Sequence, residues 1–221
     1  MWFSKRVLEL ILPVTCAGCG EPGHACCPEC RAGLARPAPV ARGPTGAAPV
    51  YALARYTGPA RRIVLAYKER GRRDLAAPLG AAFAAALPYL PEARADPEGV
   101  WWLVPAPSRR TASRTRGGPH LLRLARACAA ELAATGRRAA VAPALRLGFG
   151  ARDAVGLDRD QRAANLAGRL TLDPRGVPPR GTPVVLLDDV VTTGATVAAC
   201  LRTLGEGGFP VMAALVLTAT R

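Results

Sequence analysis

The chain has 221 residues, half of them hydrophobic, and carries a formal net charge of +14. This length allows one substantial core with a small additional module. The charge attracts phosphate-rich partners, and no stretch has the eighteen or so uninterrupted apolar residues that would span a bilayer. We therefore expect no membrane span.

The first sixteen residues lack the features of a targeting signal. Their short apolar run is broken by Glu9, and no small-residue cleavage site follows it. Thr15 precedes Cys16 where a lipoprotein signal would carry a small residue. We therefore expect a cytoplasmic protein.

Arginine dominates the basic residues of the chain, since Lys5 and Lys68 are the only lysines.

Five of the seven cysteines lie within fifteen residues near the N-terminus. Two CxxC pairs, separated by seven residues, predict tetrahedral thiolate coordination of a structural Zn²⁺. Cys26 or His24 could replace one ligand, but Cys27 restores the second CxxC pair and is favoured. The predicted zinc ligands are Cys16, Cys19, Cys27 and Cys30.

The chain divides into two predicted parts. Residues 1–45 hold too few large apolar side chains to fold without a metal, which predicts a zinc-binding module. Residues 36–49 are rich in Pro, Gly and Ala and are typical of a linker. The main domain is expected to occupy residues 46–221.

The main domain opens with a strand and two helices. Apolar alternation predicts a strand over residues 50–56, and Gly58-Pro59 begins a helix that ends at Gly71. An alanine-rich second helix is expected near residues 74–87. Lys68 and Arg70 are as compatible with a ligand site as with a solvated surface.

A second predicted strand, residues 100–104, runs directly into a polar loop. The loop reads PAPSRRTASRTRGG, and its arginines and glycines suit a diphosphate because they offer bidentate contacts and close backbone approach. A solvated basic loop is the alternative. The candidate diphosphate residues are Pro105, Ala106, Pro107, Ser108, Arg114 and Arg116.

Helices are expected over residues 119–134 and 157–166, with a strand near 139–142 between them. Arg162 and Asn165 in the second helix could line a site or form an exposed pair. His24 and His120 have no recognisable partner, and neither is assigned a catalytic role.

The most informative stretch reads VVLLDDVVTTGATV, at residues 184–197. It predicts a buried strand over 184–187, a polar loop and an amphipathic helix, the order that α/β proteins use for ligand sites at carboxyl strand ends. Hydroxyls and a glycine at a helix start suit a phosphate, and paired carboxylates suit sugar hydroxyls or a divalent cation. A last strand is expected over 211–217.

The stretch at 184–197 resembles the phosphoribosyl-pyrophosphate (PRPP) signature of type I phosphoribosyltransferases. With the CxxC pairs, YTGPARRIVLAYKERG, VPAPS, RTRGG and GLDRDQRAAN, it is similar to the ComF family of competence-associated, zinc-containing proteins. The chain departs from the family at Ala154, often Gln there, and at Pro119-His120, usually Asn-Gln.

The resemblance implies an α/β fold, a type I phosphoribosyltransferase-like parallel sheet flanked by helices, with a small N-terminal zinc module held by four cysteines. It assigns ribose and Mg²⁺ contacts to Asp188 and Asp189. It implies that the 5-phosphate is held by Thr192, Thr193, Gly194, Ala195 and Thr196.

The expected activity is transfer of a phosphoribosyl group from PRPP to an unknown acceptor. Thr192 stands where some purine enzymes of this class carry an acidic base, and threonine cannot act as a base near neutral pH. The alternatives are a non-catalytic sensor of PRPP or a nucleotide, and a DNA-uptake factor that contacts DNA or competence-machinery proteins.

Overall fold

The computed structural model describes residues 14–40, 48–107, 119–148 and 169–220. Within these ranges the strands are β1 (Ala38–Pro39), β2 (Val50–Arg55), β3 (Val100–Pro105), β4 (Arg138–Val141), β5 (Leu145–Leu147), β6 (Leu170–Leu172), β7 (Val184–Val191) and β8 (Val211–Ala219). The α-helices are α1 (Pro28–Ala32), α2 (Gly58–Lys68), α3 (Ala76–Ala86), α4 (His120–Ala134) and α5 (Ala195–Glu206). Short 3₁₀ turns, Arg73–Leu75 and Leu87–Tyr89, flank α3.

Six of these strands form one sheet in the order β1-β2-β8-β7-β3-β4. All of its pairings are parallel except that of β1 with β2. The central strands β7 and β8 are almost wholly buried, which fits apolar runs covered on both faces. The prediction of a mostly parallel α/β sheet flanked by helices is confirmed.

The helices divide between the two faces of the sheet. Crossovers between parallel strands are right-handed almost without exception. The crossovers from β2 to β3 and from β3 to β4 advance in one direction, which places α2, α3 and α4 on one face. The crossover from β7 to β8 advances in the opposite direction, so α5 covers the other face.

The neighbouring strands β3 and β7 therefore form a topological switch point. After β3 the chain passes to the α4 face, and after β7 it passes to the α5 face. The two strands therefore lead to opposite faces of the sheet, and the carboxyl ends of strands at such a point are where open α/β sheets bind ligands.

Several elements differ from the sequence-based expectation. Strand β7 continues four residues beyond Leu187, because β8 pairs with it as far as Val191. Helix α2 ends at Lys68, three residues before Gly71, whose φ of +65° lies in the left-handed region. The antiparallel pair β5–β6 was not predicted.

The expected linker contributes to the sheet. Ala38 and Pro39 pair with β2 as an edge strand, and the amide of Val40 donates to Val50 O. The boundary between residues 45 and 46 stays a prediction, and so does the helix at 157–166; both lie outside the described residues. No helix in the described ranges is long and apolar enough to cross a membrane.

Helices α3 and α4 approach each other closely at Gly80. A Cβ built there would lie 2.6 Å from the Cβ of Ala127 and 2.7 Å from the backbone nitrogen of Cys128. Gly205 in α5 meets no atom within 4 Å. Of these two helical glycines, only Gly80 therefore has a packing reason to remain glycine.

We predict that Gly80→Ala destabilises the fold by about 1–3 kcal/mol, because overpacking outweighs the better helix propensity of alanine. Gly205→Ala is the matched control and should be neutral or stabilise the fold by up to about 1 kcal/mol. Urea unfolding measures both, and equal stabilisation by the two variants would contradict the close helix contact.

Candidate functional site

The two neighbouring carboxylates lie within β7, not beyond its end as the sequence suggested. Asp188 pairs in register with Val216 of β8, and Ala106 donates its amide to Leu187 O where β3 ends. Both aspartates are nearly inaccessible, at 5% and 3% exposure. They therefore lie at the switch point but inside the sheet.

Successive residues of a strand point to opposite faces, so Asp188 and Asp189 do not share one. Asp189 reaches the face of α2 and α4: its Oδ1 accepts a hydrogen bond from Lys68 Nζ at 2.9 Å. Its Oδ2 lies 2.8 Å from Nε2 of His120, and His120 is the first residue of α4. The structure thus assembles a Lys68–Asp189–His120 cluster.

Tyr67 supports this cluster from the preceding position of α2. Its hydroxyl donates to the backbone oxygen of His120 at 2.7 Å. The Tyr67 and His120 rings meet edge to face, with centroids 5.9 Å apart. The end of α2 therefore holds both the histidine and its carboxylate partner.

The two aspartates have opposite electrostatics. Burial, reinforced by the charge of Asp189, raises the pKa of Asp188 to about 7. Burial also opposes ionisation of Asp189, but the hydrogen bond from His120 and the charge of Lys68 outweigh it and lower its pKa. Of the two aspartates, Asp189 is therefore the one whose ionised form is favoured.

Asp188 belongs to the α5 side. Its Oδ1 accepts a hydrogen bond from the backbone amide of Asp189 at 2.8 Å. Burial, and then the charge of Asp188, raise the pKa of Cys200 in α5. The two side chains therefore lie on opposite sides of the strand, and the assignment of Mg²⁺ to them stays a prediction.

The turn after β7 leads into the N-terminus of α5. Gly194 is its N-cap residue, with φ of +79° in the left-handed region, where a β-branched residue would be strained. Thr193 Oγ1 accepts the amide of Ala195 at 3.3 Å, and Thr220 Oγ1 donates to Thr192 O. Thr192 and Thr193 are exposed, so this turn presents hydroxyls and amides at the edge of the sheet.

The predicted diphosphate residues fall partly within the described ranges. Pro105 ends β3 opposite Leu187, which brings residues 105–107 beside the acidic strand. Ser108, Arg114 and Arg116 lie outside the described residues, as do Arg162 and Asn165. Their roles stay predictions.

His120 and Lys68 are the residues that sequence reasoning missed or left open. His120 has a charged partner after all, but that partner is 69 positions away and gives no local signal. The usable signal was position: His120 directly follows the RTRGGP segment, and Lys68 ends a helix that leads from the first strand. A residue that borders a candidate diphosphate loop could have been weighed on that ground.

The first and second CxxC pairs come together as predicted. The sulfur atoms of Cys16, Cys19, Cys27 and Cys30 all lie within 4.8 Å of one another. Such a set of four thiols can hold a metal ion such as zinc, and it fits the tetrahedral preference of Zn²⁺. Cys26 is not a member of this group.

Backbone amides stabilise a thiolate in the first CxxC pair, Cys16–Cys19, which we call the first knuckle. Gly18 and Cys27 donate their amides to Cys16 Sγ at 3.4 and 3.3 Å. Burial opposes the charged form, but hydrogen bonds from the knuckle outweigh it and lower the pKa of Cys16 to about 6. The thiolate form of Cys16, which a metal needs, is therefore favoured near neutral pH.

Comparison with known proteins finds no protein-family model that matches the chain and no match among curated proteins.

We predict that asparagine at the two adjacent acidic positions has opposite effects on stability. The raised pKa of Asp188 favours its neutral form, so stability from this group is lost as pH rises from about 4 to 7. Asp188→Asn keeps the Oδ1 acceptor and should raise the melting temperature at pH 8, with a smaller effect at pH 5. Asp189→Asn breaks a buried ion pair and should cost about 3 kcal/mol at pH 8.

Thermal unfolding at pH 5 and pH 8 measures both variants. The lowered pKa of Asp189 means that its stabilisation persists at both pH values and is lost only in stronger acid. A shift of the same sign for both variants at pH 8 would contradict the assignment of the carboxylates to different faces.

We also predict about one Zn²⁺ per chain by elemental analysis, as a four-thiolate site requires. Cys16→Ser should lower the zinc content and unfold the N-terminal zinc-binding module. Cys26→Ser is the matched control, since it removes a neighbouring buried thiol that lies outside the cluster. Loss of zinc in Cys26→Ser with retention in Cys27→Ser would overturn this ligand set.

Proposed function

We propose that this protein binds PRPP or ribose 5-phosphate and is a ComF-type phosphoribosyltransferase with a structural Zn²⁺. The observation that carries the proposal is the position of the residue 192–196 turn. It joins β7 to the N-terminus of α5 at the switch point, shortly after Asp189 in the chain. A sugar bound at Asp189 and its phosphate bound at this turn would share one short segment.

The 5-phosphate is the best-supported part of the ligand. The first turn of α5 has no acidic side chain, so no carboxylate of that turn competes with a phosphate for its amides and dipole. The left-handed Gly194 has no side chain that could block the approach of a phosphate to these amides. The exposed hydroxyls of Thr192 and Thr193 add donors.

The ribose hydroxyls are assigned to Asp189 rather than equally to both aspartates. Each oxygen of an ionised carboxylate has two lone pairs, so Asp189 has acceptor capacity beyond its bonds to Lys68 and His120. Because the side chain is only 3% exposed, a ribose hydroxyl would have to displace part of what covers it. Asp188 lacks such charged partners in the described residues, and its Oδ1 instead accepts a hydrogen bond from the backbone amide of Asp189.

The chemistry proposed is cleavage of the bond between C1 of PRPP and pyrophosphate, with transfer of C1 to an acceptor. Positive charge develops on the sugar, and the ionised Asp189 supplies a nearby negative charge. Mg²⁺, where bound, would neutralise charge on the departing pyrophosphate. Arg114 and Arg116 are the proposed protein contacts to that group.

Net charge favours the DNA-associated alternative as a second candidate. A charge of +14 attracts a polyanion regardless of the sugar-phosphate site. Salt-dependent DNA binding that survives Asp189→Asn would support that role. Binding of PRPP without product formation across a nucleobase screen would instead support a sensor.

Calorimetric titration with PRPP and Mg²⁺ tests the proposal on an ordered set of variants. Gly194→Val should abolish binding, since it adds bulk and strain at the phosphate turn. Asp189→Asn should weaken binding to an intermediate degree. Thr193→Ala should have the smallest effect, about 1.5–3 kcal/mol for one hydrogen bond to a charged group.

Gly208→Val is the matched control for Gly194→Val. Gly208 has almost the same backbone angle, with φ of +80° against +79°, but it lies beyond the other end of α5. It should suffer similar strain and still bind PRPP. Binding in all site variants at the strength of the parent chain would exclude this turn as the site.

A further inference from the structure

Helix α2 connects the cysteine cluster to the Lys68–Asp189–His120 cluster. Arg62 of this helix contacts Gly18 in the first knuckle. The last two residues of the helix, Tyr67 and Lys68, contact His120 and Asp189, respectively. Ile63 and Lys68 are separated by roughly 7–8 Å along a helix that rises 1.5 Å per residue. A shift of α2 at the knuckle would therefore reach the candidate site with little attenuation.

Two arginines attach this helix to the knuckle. Arg62 donates from Nε to Gly18 O. Arg72, which follows the helix and donates its amide back to Ala66 O, donates from Nη2 to Thr15 O at 3.1 Å. Both acceptor carbonyls lie next to ligand cysteines, so their positions depend on the closure of the knuckle.

Packing reinforces the two hydrogen bonds. A Cβ at Gly18 would lie 3.1 Å from Ile63 Cδ1 and 2.6 Å from Cys30 Sγ, so the knuckle, the helix and the fourth cysteine meet at this glycine. A groove of about 870 Å³, lined by Cys19 and Glu29 of the module and by Thr57 and Pro59, lies between the module and the start of α2. The first knuckle is therefore a principal contact between the module and α2.

We infer that metal binding at the four cysteines sets the affinity of the sugar-phosphate site, because it fixes α2 and thereby positions Tyr67 and Lys68. The inference rests on the proposed function for its ligand. A bound metal holds the carbonyls of Thr15 and Gly18 in place. Without it, the four thiols have no common centre, and the attachment of α2 loosens.

Arg62→Met tests this coupling without altering a cysteine, and Arg61→Met is its matched control. Arg61 is the preceding residue of the helix, but its guanidinium lies 5.8 Å from the Tyr56 ring and not on the knuckle. Both variants should keep one zinc per chain. Arg62→Met should weaken binding of ribose 5-phosphate by at least about fivefold, the lower end of typical allosteric couplings, and Arg61→Met should change it less than about twofold.

A second measurement reports on Lys68 without a sugar phosphate. The chain has only two lysines, so reductive ¹³C-methylation of a Lys5→Arg variant leaves Lys68 as its single labelled lysine side chain. Asp189→Asn should shift this resonance and so establish that it reports the ion pair. Removal of zinc by a chelator, and Arg62→Met, should each move the resonance in the same direction, and Arg61→Met should not.

The two measurements separate the inference from the proposed function. If the zinc-loaded parent binds neither PRPP nor ribose 5-phosphate, the proposed function fails, while movement of the Lys68 resonance still supports coupling through α2. If zinc removal and Arg62→Met leave both the resonance and the affinity unchanged, the inference is overturned.

Discussion

The alternation of side chains along β7 is the constraint on which the candidate site depends. Because β7 is hydrogen-bonded to β8 through Val191, its backbone is extended across the acidic pair, and each carboxylate is committed to one face of the sheet. One face offers Lys68 and His120, and the other offers the apolar underside of α5. Two identical neighbouring residues thus have pKa values shifted in opposite directions, because the strand places them beside different groups.

Sequence reasoning recovered the parts of the fold that leave a local signal. The apolar runs of the central strands and the helical spacing after Gly58 and in 120–134 each predicted the observed element. The predicted end of β7, at Leu187, was wrong. Asp188 and Asp189 are polar, and they stay in the strand because β7 pairs with β8 as far as Val191. Tertiary hydrogen bonding, which no local pattern reports, overrode the polar composition there.

In the candidate site, too, local features could be predicted from the sequence and long-range contacts could not. The CxxC spacing was sufficient to predict which four thiols meet, because their ligand geometry is local. The contact of His120 with Asp189 joins residues far apart in sequence, and it depends on α4 beginning beside β7. Long-range contacts of this kind follow from topology. The two adjacent aspartates were therefore visible in the sequence, but the contacts of Asp189 with Lys68 and His120 were not.

The edges of the sheet carry a consequence for self-association. On one side, β1 covers β2 for only two residues, one of them Pro39, which has no amide hydrogen to donate. On the other side, β4 is four residues long and begins with Arg138. Short edges with a proline or a charge resist strand-to-strand aggregation. Growth of the sheet by docking further chains at β1 or β4 is accordingly disfavoured.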